Sequence, residues 1–251
     1  MPAGDDGFDY VWLGTRPYSG MLTEQERLVA LRSKGEIGDR LLLLEHPPTY
    51  TRGRRTLDGE LGDPEAHRNR GIEVLDTPRG GGVTYHGPGQ LVAYPVFDLG
   101  QLGRQPRGAS RFDVKAFVDS LEKAMVATLA DSGVSARSLP DLTGIWAGEG
   151  DRAGTPEESI ATGQLRKIGS LGLRISRGIS SHGISLNVDL DLEPFGQVTA
   201  CGIEDCEATS ILAETGTAPE VSDVGIRLAL ELGQALDLEA RALPPDLAST
   251  A

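Results

Sequence analysis

Residues 39 to 46, DRLLLLEH, are a short and nearly continuous apolar run stopped by Pro47 and Pro48. That is the pattern of a strand covered on both faces, so the chain has to supply layers on each side of a sheet. Phe8 to Leu13 reads as a first strand. Ile72 to Leu75, Val83 to His86 and Leu91 to Phe97 are rich in β-formers and separated by turn residues, which predicts neighbouring strands. Leu165 to Ser176 and Ile184 to Asp189 alternate in polarity and are joined by the turn-like RGISSHG, as two antiparallel strands would be.

Helices account for the remaining periodic segments. Thr23 and Glu26 have the spacing of a capping box opening a helix toward Arg32. Ser110 and Asp113 precede a helix whose Phe117, Leu121, Met125 and Leu129 recur every four residues, and Ser222 is placed to cap an amphipathic helix over Glu220 to Leu236. Arg52 to Arg70 reads as a long surface loop, and the polar stretch 148–164 as a mobile insert. No repeat and no linker divide the chain, so one mixed α/β domain over 8–238 is expected, with 1–7 disordered and 239–251 frayed.

The longest uninterrupted apolar stretch, Leu41 to Leu44, falls far short of the roughly 20 residues a membrane-spanning helix needs. A net charge of -13 argues against a nucleic-acid binder, which needs clustered cations. Arg52, Arg54, Arg55, Arg68, Arg70 and Arg79 nevertheless gather before a glycine-rich stretch, where they suit either an acidic protein partner or plain solvation. With two cysteines and no secretory signal at the N-terminus, a reducing cytoplasm is the expected compartment.

Three segments hold the residues that can do chemistry. In RGGGVTYHGPGQ, Gly80 to Gly82 can take positive φ and bring bare main chain against a ligand, or serve only as a hairpin bend. No P-loop Gly-Lys-Ser/Thr and no dinucleotide G-x-G-x-x-G spacing accompanies them. In RKIGSLGLRISRGISSHGISLNVD, Lys167 opens an apolar strand, either as a snorkelling edge residue or as a buried proton acceptor. In TACGIEDC, Cys201 precedes glycine in a loop where a thiol is reachable, while Cys206 lacks that setting. The pair has no zinc-like partners, so no metal is expected. A Cys/Lys pair that met would be chemically complete, the cysteine as nucleophile and the lysine as its proton acceptor. His86 and His182 each precede glycine and would orient a ligand oxygen or bond a turn carbonyl.

Taken together and in order, RGGGVTYHGPGQLVAYP, KIGSLGLRISRGISSHGISLNVD and ACGI resemble the lipoyl (octanoyl) transferase family, with similarity from about Tyr10 to Leu236. The resemblance implies a biotin/lipoate protein ligase-like fold: an α/β (α+β) single domain with a mixed, largely antiparallel sheet flanked by helices. It implies transfer of octanoyl from octanoyl-acyl carrier protein to a lysine of lipoyl domains, those of 2-oxoacid dehydrogenases and of the glycine cleavage H protein, with no ATP and no other cofactor. Position by position, Cys201 falls on the acyl-thioester nucleophile and Lys167 on the residue that lowers its pKa. Arg79, Gly80, Gly81, Gly82, Val83, Thr84, Tyr85 and His86 fall on one substrate loop. Ser170, Leu171, Gly172 and Gly183, Ile184, Ser185 fall on two others. Ala200 stands where many members have proline, and the insert before Lys167 is long. Arg52, Arg54 and Arg55 are the candidates for docking the carrier. The rival readings are an ATP-dependent lipoate or biotin ligase, which needs no reactive cysteine, and a non-catalytic binder of acyl groups or lipoyl domains.

Overall fold

The structure is a computed structural model that describes residues 7–102, 114–140, 142–149, 155–198 and 206–244. In chain order the elements are β1 (Gly7–Thr15), α1 (Tyr18–Lys34), β2 (Arg40–Glu45), β3 (Thr49–Arg52), α2 (Pro64–Asn69), β4 (Glu73–Asp76), β5 (Val83–His86), β6 (Gln90–Val96) and α3 (Leu99–Leu102). Then follow α4 (Val114–Asp131), β7 (Ala136–Leu139), β8 (Leu142–Ala147), α5 (Pro156–Ala161), β9 (Arg166–Ser176), β10 (Ile179–Asn187), a 3₁₀ turn (Glu193–Gln197), α6 (Ile211–Thr215), α7 (Val221–Leu236) and β11 (Glu239–Ala242).

Eight strands form one sheet in the order β11-β1-β2-β6-β10-β9-β8-β7. Only the β1–β11 and β1–β2 pairs are parallel; the others are antiparallel. On one face Leu41, Leu43, Leu91, Ala93 and Leu186 pack with Phe117, Leu121 and Met125 of α4 and Val224, Leu228 and Leu232 of α7. On the other, Leu42, Leu44, Val92 and Val96 pack with Met21 and Leu28 of α1. Consecutive leucines of β2 thus go to opposite cores, which is why that strand carries no polar face. Burying such a run contributes about 1.5–3 kcal/mol per leucine.

Several local expectations are corrected by long-range packing. Helix α1 starts at Tyr18, more than a turn before the Thr23 capping box, and no side chain caps it. Tyr18 is 1% exposed, its ring 4.7 Å from that of His46, so burial of an aromatic anchor starts the helix there. The region read as a loop over Arg52 to Arg70 begins in β3 and contains α2, capped by Asp63. β4 and β5 are not neighbours of β6: they flank β3 in a separate three-stranded sheet, β4-β3-β5. The turn between β9 and β10 is only Arg177-Gly178, with φ 52° and 85°, the positive pair of a type I′ hairpin. Residues 179–183, read as part of a turn, are therefore strand. Within the polar insert, Thr155 and Glu158 form a complete capping box that opens α5. α7 starts after Glu220 without the cap expected from Ser222. Residues 239–242, read as fraying, pair in parallel with β1. Ser110 and Asp113 lie outside the described residues.

Candidate active site

Between the two sheets runs a cleft. One wall is the paired segment in which Ser170, Leu171 and Gly172 of β9 stand opposite Ser185, Ile184 and Gly183 of β10, extended by Val92 and Tyr94 of β6. The other wall is Gly81, Gly82, Val83 and Thr84. The two are tied directly, since the Gly80 N–H donates to the Leu173 carbonyl at 3.1 Å.

The glycine segment is braced by Arg79 and by the chain that follows β3. The buried Arg79 guanidinium donates to the Thr51 carbonyl (2.6 Å) and hydroxyl, and to the carbonyls of Gly80 (2.9 Å) and Gly82 (2.7 Å). The N–H groups of Arg54, Arg55 and Gly53 donate to the carbonyls of Arg79, Gly81 and Gly82. Every peptide bond described is trans, so each carbonyl and the next N–H point in opposite directions. Holding the Gly80 and Gly81 carbonyls toward Arg79 and Arg55 therefore turns the N–H groups of Gly81 and Gly82 the other way. Of the three glycines only Gly81 has positive φ, 87°.

Lys167, the second residue of β9, lines the cleft. Its backbone is gripped on both sides: Trp146 of β8 pairs with it, its N–H donates to the Glu207 carbonyl (2.8 Å), and its carbonyl accepts from Thr209 (2.9 Å). The ammonium lies 5.5 Å from the centroid of the fully buried Trp146 ring, a cation–π distance. Gly144 makes room for the side chain. At φ 130° it adopts a conformation other residues avoid, and a Cβ there would meet Lys167 Cε at 2.7 Å.

Buried polar residues continue the cleft. His86 Nδ1 meets Gln90 Oε1 at 2.7 Å, and the Gln90 amide nitrogen donates to Asn187 Oδ1 (2.9 Å) and the Tyr85 carbonyl. The Asn187 amide nitrogen in turn donates to the Thr209 carbonyl at 2.9 Å. This directionality places the His86 proton on Nδ1 and leaves Nε2 a lone-pair nitrogen, buried and without a hydrogen-bond partner among the described residues. Burial, helped by His46 and Arg79, pushes His86 down to about 3. Burial likewise pushes His46 down to about 4, its Nδ1 donating to the Arg16 carbonyl and its Nε2 accepting from the Tyr94 hydroxyl. The His46 and His86 rings pack with Tyr18 at centroid distances of 4.7 and 5.5 Å, and His46 also meets His86 at 5.8 Å and Tyr94 at 5.9 Å.

A slot walled by strand and bare main chain, with one lysine at its edge, suits a thin acyl chain ending in a reactive carbonyl. The model of the lipoyl protein ligase A/B catalytic domain matches residues 17–233. The chain belongs to that family. Within it, the chain is 40% identical over 232 residues to an octanoyltransferase of Chloroflexus aurantiacus, covering 92% of this chain and 94% of that one. It is also 40% identical over 210 residues to a mitochondrial octanoyltransferase of Arabidopsis thaliana, covering 82% and 79%. Among solved structures it is similar to a bipartite lipoate protein ligase from Thermoplasma acidophilum (TM-score 0.68, 15% identity, 97% and 91% covered). It is also similar to lipoate-protein ligase A bound with ATP (TM-score 0.67, 17% identity, 96% and 92% covered). At such identities the likeness is one of fold, and it agrees with the ligase-like mixed sheet expected above.

The lipoyl protein ligase A/B fold brings most of the expected site residues together. Arg79, Gly81 to Thr84, His86, Lys167, Ser170 to Gly172 and Gly183 to Ser185 all line the cleft. Two do not: Gly80 spends its N–H on β9, and the Tyr85 ring packs against Tyr50, 5.2 Å away, in the core of the small sheet. Cys201 lies outside the described residues. The chain on either side of it returns to the cleft, at Phe195 and at Cys206. Sequence reasoning gave Cys206 no role, and missed Tyr18, Tyr94, Gln90 and Asn187. The last two carried a signal: a buried amide in an apolar strand needs a partner, and these two are each other's.

Proposed function

We propose that this chain is an octanoyltransferase, moving an octanoyl group from the thioester of an acyl carrier protein to a lysine amine of a lipoyl domain through a thioester on Cys201. The observation that carries the reading is the slot, with Lys167 at its edge and two main-chain N–H groups turned away from their bracing, in a chain aligned over nearly its whole length with octanoyltransferases.

In the first half-reaction the Cys201 thiolate attacks the thioester carbonyl, having passed its proton to Lys167. The bond to the carrier's sulfur breaks, and Lys167 returns the proton to that leaving thiolate. In the second, the acceptor amine attacks the acyl-Cys201 carbonyl, Lys167 takes the amine proton, and the bond to Cys201 breaks, leaving an amide and a free enzyme thiol. Each tetrahedral oxyanion is assigned to the N–H groups of Gly81 and Gly82. Their pre-set orientation means that no reorganisation is needed when the charge appears. The neutral aromatic and histidine cluster provides an uncharged surface for the aliphatic chain, seven carbons of which contribute about 6 kcal/mol on burial at about 0.8 kcal/mol per methylene.

Exchange of a thioester for an amide is downhill and uses no nucleotide. Octanoyl transfer from carrier to lipoyl domain should therefore run at full rate after ATP is removed with apyrase. A strict need for ATP and Mg²⁺ would assign the chain to the ligase branch of the fold instead.

A further inference from the structure

His182 is conspicuous among the residues near the slot. Among the described residues it is one of three non-glycine residues with positive φ, at 54°, and it sits inside a strand rather than in a turn. Only strong local constraint keeps a β-carbon there. The constraint is visible: its N–H donates to Gln25 Oε1 of α1 at 2.6 Å, and its ring is buried, the residue being 4% exposed.

The ring stands between two spaces. His182 lines the slot, and it also lines a second cavity of about 240 Å³ between α1 and the β9–β10 hairpin, whose other walls include Leu22, Val29, Pro78, Arg174 and Ser181. Of its cationic neighbours, Arg79 lines the slot and Arg174 the cavity behind. In the β9–β10 register His182 is opposite Leu173, six residues along β9 from Lys167. That is roughly 20 Å of strand at about 3.3 Å per residue, a span that takes a lysine side chain and an extended acyl chain of about eight carbons before the ring is met.

We propose that His182 is the specificity-determining residue for acyl-chain length: its ring closes the far end of the slot, and the cavity behind it is the space that longer chains are denied. The proposal rests on the acyl-transfer reading above. The four methylenes by which dodecanoyl exceeds octanoyl, each occupying about the volume of a water molecule, roughly 30 Å³, need about 120 Å³, and the rear cavity of about 240 Å³ has that room. Gln25 Nε2 and His182 Nδ1 are buried without hydrogen-bond partners among the described residues. With the ring removed, a longer chain enters that space and lies against Leu22, Val29 and Pro78.

The test compares transfer of octanoyl and dodecanoyl from carrier to lipoyl domain by the wild-type protein and by His182→Gly. Glycine is the substitution that the backbone at this position favours. The ratio of kcat/KM for dodecanoyl over octanoyl should rise tenfold or more. Adding Val29→Phe, which refills the rear cavity, should bring it back toward the wild-type value. Calorimetric binding of free octanoate and dodecanoate, which needs no turnover, should show the same change of preference. A ratio within twofold of wild type in folded His182→Gly, or in His182→Ala should the glycine variant not fold, overturns the gate while leaving octanoyl transfer intact. A wild-type protein that binds octanoate but transfers none overturns the transfer reading instead.

Discussion

Mild acid should unfold this protein, through its buried histidines. His46, His86 and His182 are 0%, 6% and 4% exposed and are held down to about 4, 3 and 4, chiefly because burial penalises the imidazolium. In the unfolded chain each titrates near its ordinary value of about 6.5. Above that value neither state binds the proton and the histidines contribute nothing to the pH dependence. As pH falls below it the unfolded state gains protons that the folded state refuses, so stability is lost, down to the folded values. At pH 5 the unfolded chain is about 1.5 units into that window, worth about 2 kcal/mol per histidine, or about 6 kcal/mol for the three. A typical domain has only about 5–15 kcal/mol in total. Asp39, whose carboxyl is pushed up by burial against the pull of Arg32, works in the opposite direction, so the histidine share is best isolated by a variant. Urea unfolding at pH 7 and pH 5 should show a loss of several kcal/mol in the wild type. In His86→Gln, whose side chain does not titrate, that loss should be smaller by about 2 kcal/mol. Equal wild-type stability at the two pH values, or an undiminished loss in His86→Gln, would refute the reasoning.

Two further substitutions probe the site from its edges. Gly144→Ala places a methyl group within 2.7 Å of Lys167 Cε and 2.9 Å of the Gly169 carbonyl at a strained φ. It should lower kcat at least tenfold and stability by about 2 kcal/mol; steady-state kinetics with an unchanged kcat would show that the Lys167 side chain does not need that space. Of the arginines proposed to dock the carrier, Arg52 is paired with Asp76 at 2.8 Å, whereas Arg54 and Arg55 are exposed beside Leu57, itself 66% exposed. Replacing Arg54 and Arg55 with glutamate should raise KM for the carrier fivefold or more at low salt, with the effect fading as salt rises. An unchanged KM at low salt would remove them from the docking surface.

What could be read from the sequence was whatever local periodicity encodes. The four-residue spacing of Phe117 to Leu129 marks α4, and the unbroken leucines of β2 announce cover on both faces. Features decided by distant contacts were not legible. The four-residue β3 follows two prolines and is a strand only because β4 and β5 flank it. Ile179 to His182 reads as turn because of its serines. Yet Ser180 is fully buried, its hydroxyl donating to the Pro95 carbonyl at 2.7 Å and accepting from the Phe97 N–H at 3.0 Å, so the strand satisfies what the local pattern left exposed. At the site, glycines, Lys167 and Cys201 advertise themselves by residue type in unusual settings. Tyr18 and Tyr94 do not, since a tyrosine within a helix or strand gives no sign of which far element it will meet. Arg79 was expected at the ligand, and its donors go mainly to the loop that faces it.

The most direct test of the account is intact-mass analysis with peptide mapping after incubation with octanoyl carrier protein. A gain of one octanoyl group on the peptide carrying Cys201, lost when apo lipoyl domain is added and recovered as an amide on the acceptor lysine, is the predicted result. An octanoyl group that maps to Cys206, or transfer to the lipoyl domain that proceeds undiminished in Cys201→Ser, would contradict it.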